Sequence, residues 1–382
     1  MPGMVRSDLS KLPAYVPGKA LPDALRLASN EAAAAPLPAV QEAVAKAATG
    51  LNRYPDIGVA ALRGELAEWL SRTPGAPELT AENIAVGNGS SALCLQAIQA
   101  TCQDGDEVVF PWRSFEAYPI FAQIAGARPV AVPLSSDYRV DLDAMLAAVT
   151  ERTKLIFVCN PNNPTGTVVL QAQLVEFLKQ VPGDVQVVLD EAYIEYDRSG
   201  LAGDAGAKGE GAEGTDVPGD GFAASVNGLA LMAQFPNVAV CRTFSKAYGL
   251  AGARLGYLAG SEEFVEALIK VAIPFGVNAL AQVAGLESIG EEAQQQLQQR
   301  VTETINQRER VTESLPEDLR VPSQANFVWL PVGEKAEALE AAMKEEGILT
   351  RCFAGEGVRI TVTDETETEE LIPALRRALA QL

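Results

Sequence analysis

The chain has 382 residues, 48% of them hydrophobic, and its 50 acidic residues outnumber 30 basic ones for a formal charge of −20. Such a length accommodates two domains of roughly 150 residues with sizeable cores, while the charge disfavours nucleic acid and anionic membrane and requires any anionic ligand to be held by a local cluster of arginine, lysine and backbone amides. Histidine is absent, which excludes histidine-based triads and histidine-ligated metals and leaves proton transfer to lysine, tyrosine, cysteine or a carboxylate.

Residues 1–30 read as extended or loop, broken by prolines at 13, 17 and 22. They lack the charged-then-apolar pattern of a secretory leader, and no stretch reaches the roughly 18 apolar residues of a membrane span, so a cytoplasmic protein is expected. Helical spacing of apolar residues follows over 38–48 and 59–72, on either side of a turn at 52–56. Seven β-rich runs then appear at 83–86, 107–110, 129–133, 154–159, 185–189, 238–241 and 255–259, interleaved with helical stretches at 91–103, 115–125 and 171–180. Strands that are apolar throughout and alternate with helices predict an α/β fold, a mostly parallel seven-stranded sheet with helices on both faces.

Residues 197–227, dense in glycine, alanine and acidic side chains, read as a flexible surface insertion. Beyond 260 the pattern is helix (262–273), long polar helix (291–314), strand (326–330), helix (335–346), strand (358–362) and helix (369–379), a second and smaller α+β unit. The five cysteines, at 94, 102, 159, 241 and 352, are odd in number and scattered, as reduced core residues would be.

Ligand chemistry in open α/β sheets gathers at the carboxyl ends of strands, and five such places carry suggestive residues. After the run at 237–241, the hydroxyls of Thr243 and Ser245 and the guanidinium of Arg254 make an anion-binding set around the amine of Lys246; a strand-to-helix turn with a solvated lysine is the plain alternative. The turn GNGSS at 87–91 opens a helix whose free amides suit a phosphate, unless it is an ordinary turn. NPNNPTG at 160–166 follows another strand, its prolines fixing the turn and its asparagines facing the sheet edge, unless it is an ordinary Asx/Pro turn. Asp190 ends a run of aliphatics, where burial costs several kcal/mol unless a cation or strong donor meets it, or else it caps a helix. Arg359 lies within a strand of the smaller unit, where an inward guanidinium would suit a carboxylate and an outward one would be an edge charge.

Taken in order, NRYP (52–55), the Gly-Ser turn, PNNPTG (161–166), DEAY (190–193), the Ser245-Lys246 pair with Arg254, and the late Arg359 resemble the fold-type I, pyridoxal-phosphate-dependent aminotransferases of class I/II over nearly the whole chain. YVPGK (15–19), SNE (29–31) and SQANF (323–327) resemble the histidinol-phosphate branch, and RTFSKAYGLAG with SQANFVWLP resemble the actinobacterial aromatic (phenylalanine) aminotransferases grouped with it.

The resemblance implies a large cofactor domain at 31–262 and a small domain at 263–382 joined by an amino-terminal arm at 1–30. It implies ping-pong transamination with 2-oxoglutarate through a Lys246 Schiff base, in which Lys246 also shuttles the proton at the substrate α-carbon. Asp190 would pair with the ring nitrogen, Asn163 and Tyr193 would bond the ring 3-oxygen, and Phe115 would stack on the ring. Gly89, Ser90, Ser91, Thr243, Ser245 and Arg254 would hold the phosphate, with Tyr54 reaching it from the neighbouring subunit of a homodimer. Arg359 would clamp the substrate carboxylate. Tyr15 and Asn30 would line the mouth, with Asn163 also touching substrate, and Arg351 would serve a second anion such as the phosphate of histidinol phosphate. Relatives commonly carry an Asn-Pro-aromatic-Gly run after SNE, where this chain has four alanines at 32–35, a departure that depolarises that edge. The aromatic lining expected from Tyr15, Phe115, Tyr118 and Phe353 favours an aromatic amino acid as substrate, with histidinol phosphate as the alternative.

Overall fold

The structure, a computed structural model, describes residues 24–202 and 226–382. Tyr15, most of the amino-terminal arm, and 203–225 of the expected insertion lie outside the described residues. The first half comprises β1 (Leu25–Arg26), α1 (Pro38–Ala48), α2 (Ala60–Ser71), β2 (Ile84–Gly87), α3 (Ser90–Thr101), β3 (Glu107–Trp112), α4 (Ala117–Ile124), β4 (Arg128–Pro133), α5 (Leu142–Ala147), β5 (Thr153–Cys159), α6 (Gln171–Leu178) and β6 (Gln186–Asp190). There follow α7 (Gly228–Met232), β7 (Val238–Thr243), β8 (Gly256–Ala259), α8 (Glu262–Val271), α9 (Ala279–Ser288), α10 (Glu291–Ser314), β9 (Phe327–Leu330), α11 (Ala336–Glu345), β10 (Ile348–Leu349), β11 (Arg351–Phe353), β12 (Gly357–Thr361) and α12 (Glu365–Leu379).

Seven strands form one sheet in the order β2-β8-β7-β6-β5-β3-β4. Only β8 runs antiparallel to its neighbours, as a mostly parallel sheet requires. Because successive side chains point to opposite faces, each buried strand feeds two cores. Leu155 and Phe157 of β5 join Leu93 of α3, Tyr118 of α4 and Phe264 of α8 on one face. Ile156 and Val158 join Met145 of α5, Leu174 of α6 and Leu231 of α7 on the other. A third core brings Val40 of α1 and Leu66 of α2 against Ala281 of α9 and Leu297 of α10, over Phe244 and Leu255. The helices immediately after residue 262 thus pack on the seven-stranded unit, α8 on α3 and α9 on α1.

The carboxyl-terminal unit is a three-stranded antiparallel sheet, β11-β12-β9, covered by α11 and α12 over Leu330, Leu339, Ile360 and Leu375. β1 pairs in parallel with β10, which joins the amino-terminal segment to this unit. β1, β10 and β11 span two or three residues each and carry no readable alternation. Helices α5 and α7 have six and five residues, too few for a 3.6-residue period to show in the sequence. α12 begins four residues before its expected start because Asp364 Oδ1 accepts from the Glu367 amide at 3.0 Å, capping a first turn that is acidic rather than apolar. Among the described residues no helix is long and apolar enough to cross a membrane.

Candidate active site

Adjacent parallel strands bring their carboxyl ends into line. Cys159 of β5 stands beside Asp190 of β6, and Asp190 beside Cys241 of β7. The turns leaving these strands therefore carry Asn163, Asp190 and Lys246 to one edge of the sheet. Within the 160–166 turn two asparagines hold the backbone. Asn160 Oδ1 accepts from the Val169 amide at 2.9 Å. Asn162 donates to Thr165 and to the Arg113 carbonyl and accepts from Ser114 at 2.8 Å. Asn163 faces outward instead, and its Oδ1 accepts from Arg359 Nη1.

Asp190 is buried at the end of β6. Its Oδ2 accepts from the Tyr118 hydroxyl at 2.6 Å, whereas the buried Oδ1 has no hydrogen-bond partner. Burial pushes its pKa up, countered in turn by the Tyr118 hydroxyl, the Ala192 amide and the charge of Lys246. An acceptor so placed calls for an N–H from within the site.

Lys246 is half-buried, and its Nζ donates to the Ser29 carbonyl at 3.0 Å. Desolvation first, then the positive charges of Arg359 and Arg254, bring its pKa down to about 7, against the opposite pull of Glu31 and Asp190. A substantial fraction of this amine is neutral near pH 7, as a nucleophile or base requires.

Beside the lysine, Thr243, Ser245 and Arg254 meet the start of α3. Thr243 Oγ1 lies 3.0 Å from Ser245 Oγ, and Arg254 Nη1 donates to Ser245 Oγ at 3.2 Å. Arg254 Nη2 reaches the Asn88 carbonyl and Ser91 Oγ, each at 3.4 Å. Gly89, at φ +79°, caps α3, and a Cβ there would run into Arg254 Nη2. The free amides of a helix start, two hydroxyls and a guanidinium make this an anion cradle. Gly256 allows the close approach, since a Cβ on it would collide with the Ser90 amide nitrogen.

Tyr193 and Asn30 close the opposite side. Asn30 Nδ2 donates to the Tyr193 hydroxyl at 2.9 Å, and burial pushes that phenol up to about 12. Asn30 is itself buried, tied to Thr361 and to Asn326 Nδ2. Arg359 is buried, with Nη2 on the Ala28 carbonyl and its guanidinium over the Phe327 ring. Phe115 is half-buried, edge-on to Tyr118 at 5.4 Å. Arg351 is engaged by Glu116 at 2.7 Å. Tyr54 is not brought into this cluster: it is 83% exposed, with its ring on Phe275.

A lone amine, a buried carboxylate acceptor and an anion cradle at one sheet edge can be set beside known proteins. Residues 22–375 match the family model described as aminotransferase class I and II. The chain belongs to the class I and II aminotransferases. It is 56% identical to an aromatic amino acid aminotransferase of Corynebacterium jeikeium, over 98% of this chain and 94% of that one, and 50% identical to a protein of the same name from Corynebacterium glutamicum strain ATCC 13032, over 97% and 98%. The crystal structure of histidinol-phosphate aminotransferase from Sinorhizobium meliloti in complex with pyridoxal-5'-phosphate superposes with a TM-score of 0.78 at 27% identity, covering 94% of this chain and 91% of that one.

Three features of this aminotransferase escape sequence reading. Tyr118, expected among the aromatic residues lining the substrate side, is instead fully buried, and its hydroxyl is what meets Asp190. Glu191, next to Asp190, forms a buried ion pair with Arg242 at 2.8 Å beneath the site; Glu191 directly follows β6 and Arg242 lies on β7, 51 positions apart, with no local pattern to link them. Glu116 and Arg351 lie 235 positions apart.

Proposed function

We propose that this aminotransferase transfers the amino group of an aromatic amino acid (phenylalanine, tyrosine or tryptophan) to 2-oxoglutarate, using pyridoxal 5'-phosphate. The residues present fit that cofactor: Asp190 Oδ1 is a buried acceptor without a partner, at the same sheet edge as an amine and an anion cradle of hydroxyls, helix-start amides and a guanidinium. Bound there, the cofactor would supply an aldehyde that takes the amino group and a protonated ring that accepts electrons. Gly89, Ser90, Ser91, Thr243, Ser245 and Arg254 would bind its phosphate, and Phe115 would flank its ring. Asp190 Oδ1 would hold the proton on the ring nitrogen. Asn163 and Tyr193 would donate to the ring oxygen, with Asn30 orienting the phenol.

Lys246 Nζ would carry the proton to and from the substrate α-carbon, which a pKa of about 7 allows in both directions. Arg359 would exchange its bonds to Asn163 and Ala28 for the substrate carboxylate, gripped by both Nη atoms. The aromatic choice is supported by the relatives' names and by the rings of Trp329, across from Arg359, and Phe353, beside Arg351. Exposed Leu51, Tyr54, Ile57, Ile273 and Phe275 support a homodimer in which Tyr54 serves the neighbouring site. Turnover of phenylalanine against histidinol phosphate by the purified protein tests the substrate: a clear preference for the phosphorylated amine would refute the aromatic reading.

A further inference from the structure

β11 and β12 pair antiparallel with Arg351 directly across from Arg359, so the two side chains leave the same face of the sheet. They are treated differently. Arg359 is turned to the Asn163 side chain and the Ala28 carbonyl. Arg351 is turned to a carboxylate: Nη2 lies 2.7 Å from Glu116 Oε2, with its guanidinium 5.7 Å from the Phe353 ring centroid. Glu116 directly follows Phe115 and precedes α4, so the pair bridges the large sheet's unit to the small one at the rim where the aromatic rings gather. A second bridge beside it, Arg113 to Glu356 at 2.7 Å, stacks Arg113 on Trp112. Each of these two rim arginines is thus matched by one carboxylate.

We infer that Glu116 is a specificity-determining residue which, by pairing with Arg351, selects against substrates carrying a second negative charge on the side chain. This rests on the aromatic reading above and supplies a physical basis for it. Arg351 lies one cross-strand step from the proposed carboxylate clamp, which is where the far end of a dianionic substrate would find a guanidinium fork. A phosphate or carboxylate arriving there must displace Glu116 or sit against its charge, and such a repulsive element discriminates as effectively as an attractive one. An uncharged aromatic ring meets only the Phe353 side of the pair and leaves the bridge intact. The dicarboxylate acceptor meets the same obstacle and binds against it.

Dead-end ligands read this effect without requiring turnover. Inhibition constants for glutarate, a dianion, and 3-phenylpropanoate, an aromatic monoanion, are measured on the holoenzyme of the wild type, Glu116→Gln, Glu116→Met, Glu116→Asp and Glu116→Gln/Arg351→Gln. Removing the charge raises the preference for glutarate over 3-phenylpropanoate roughly tenfold, the scale of one charge-assisted contact. Glu116→Asp retains most of the wild-type preference, and the double variant loses the gain. The ratio of kcat/KM for histidinol phosphate over phenylalanine moves in the same direction, mainly through KM. Ligand preferences within about twofold of wild type in both charge-removing variants, or a gain that survives loss of Arg351, would overturn the proposal. A wild-type enzyme that prefers histidinol phosphate to phenylalanine overturns the aromatic reading instead, whatever the variants do.

Discussion

Replacing Tyr118 with phenylalanine keeps the ring stacked on Phe157, with centroids 4.5 Å apart, and deletes the hydroxyl that donates to Asp190 Oδ2 at 2.6 Å. Burial already pushes the Asp190 pKa up, and this hydroxyl is the strongest influence holding it down. A hydrogen bond to a charged acceptor contributes about 1.5–3 kcal/mol, and its loss leaves both carboxylate oxygens dependent on the cofactor. The variant holds Asp190 ionised less well, so its attraction for a protonated ring nitrogen weakens. If that contribution is lost from binding, the dissociation constant for pyridoxal 5'-phosphate rises about 10- to 100-fold.

The pH dependence has a definite sign. A carboxyl whose folded pKa lies above its unfolded one lowers stability as pH rises from the unfolded value through the folded one. Tyr118→Phe moves the upper end of that window higher, so the cofactor-free variant loses more stability towards neutral pH than wild type does. Absorbance titration of the cofactor-free protein across the neutral range, with urea unfolding of the same samples, measures both effects. Dissociation constants and urea midpoints matching wild type throughout would refute the role given to Tyr118.

The Lys246 amine, with its pKa brought down to about 7, gives a rate of cofactor capture by cofactor-free protein that rises with pH and levels off above about 7; stopped-flow absorbance checks this, and Lys246→Ala shows neither the capture nor transamination. Because its folded pKa lies below its unfolded value of about 10.4, this group adds stability as pH climbs from 7 towards that value, opposite in sign to Asp190. Arg242→Gln breaks the buried Arg242–Glu191 ion pair and is expected to cost about 3–5 kcal/mol in urea unfolding, whereas exposed Arg72→Gln, at the other extreme, costs under about 1 kcal/mol. Mixing inactive Lys246→Ala with inactive Tyr54→Ala chains restores activity in mixed dimers if Tyr54 serves the neighbouring site, and leaves the mixture inactive if it serves its own.

The strand-end chemistry was readable because it is local. The apolar runs at 154–159, 185–189 and 238–241 each hand over to polar residues within a step or two, and parallel pairing then aligns those steps in space. Partners that meet across the fold left no such trace. Tyr118 reads as one more ring of the substrate lining; that its ring is core and its hydroxyl meets Asp190 shows only in the fold. Arg351 reads as a contact for a second anion of the substrate and Glu116 carries no signal at all; that the two pair with each other shows only once β11, three residues long, is seen to pair with β12. The GVRIT run could not decide between an inward and an outward Arg359, since a half-covered sheet allows both; the packing of Phe327 and the pairing with Asn163 turn it inward.

The reversed strand β8 has a further consequence. A parallel strand delivers to its carboxyl edge only the residues that follow it, but β8 delivers Arg254, which precedes it. Residues 244–255 therefore leave the sheet with Lys246 and re-enter it with Arg254, and their span is pinned by the pairing of Thr243 with Gly256 and by the Phe244 amide on the Leu255 carbonyl. An added or deleted residue would shift the amine or the guanidinium relative to the other. The loop thus accommodates exchanges of side chain but not a change of length.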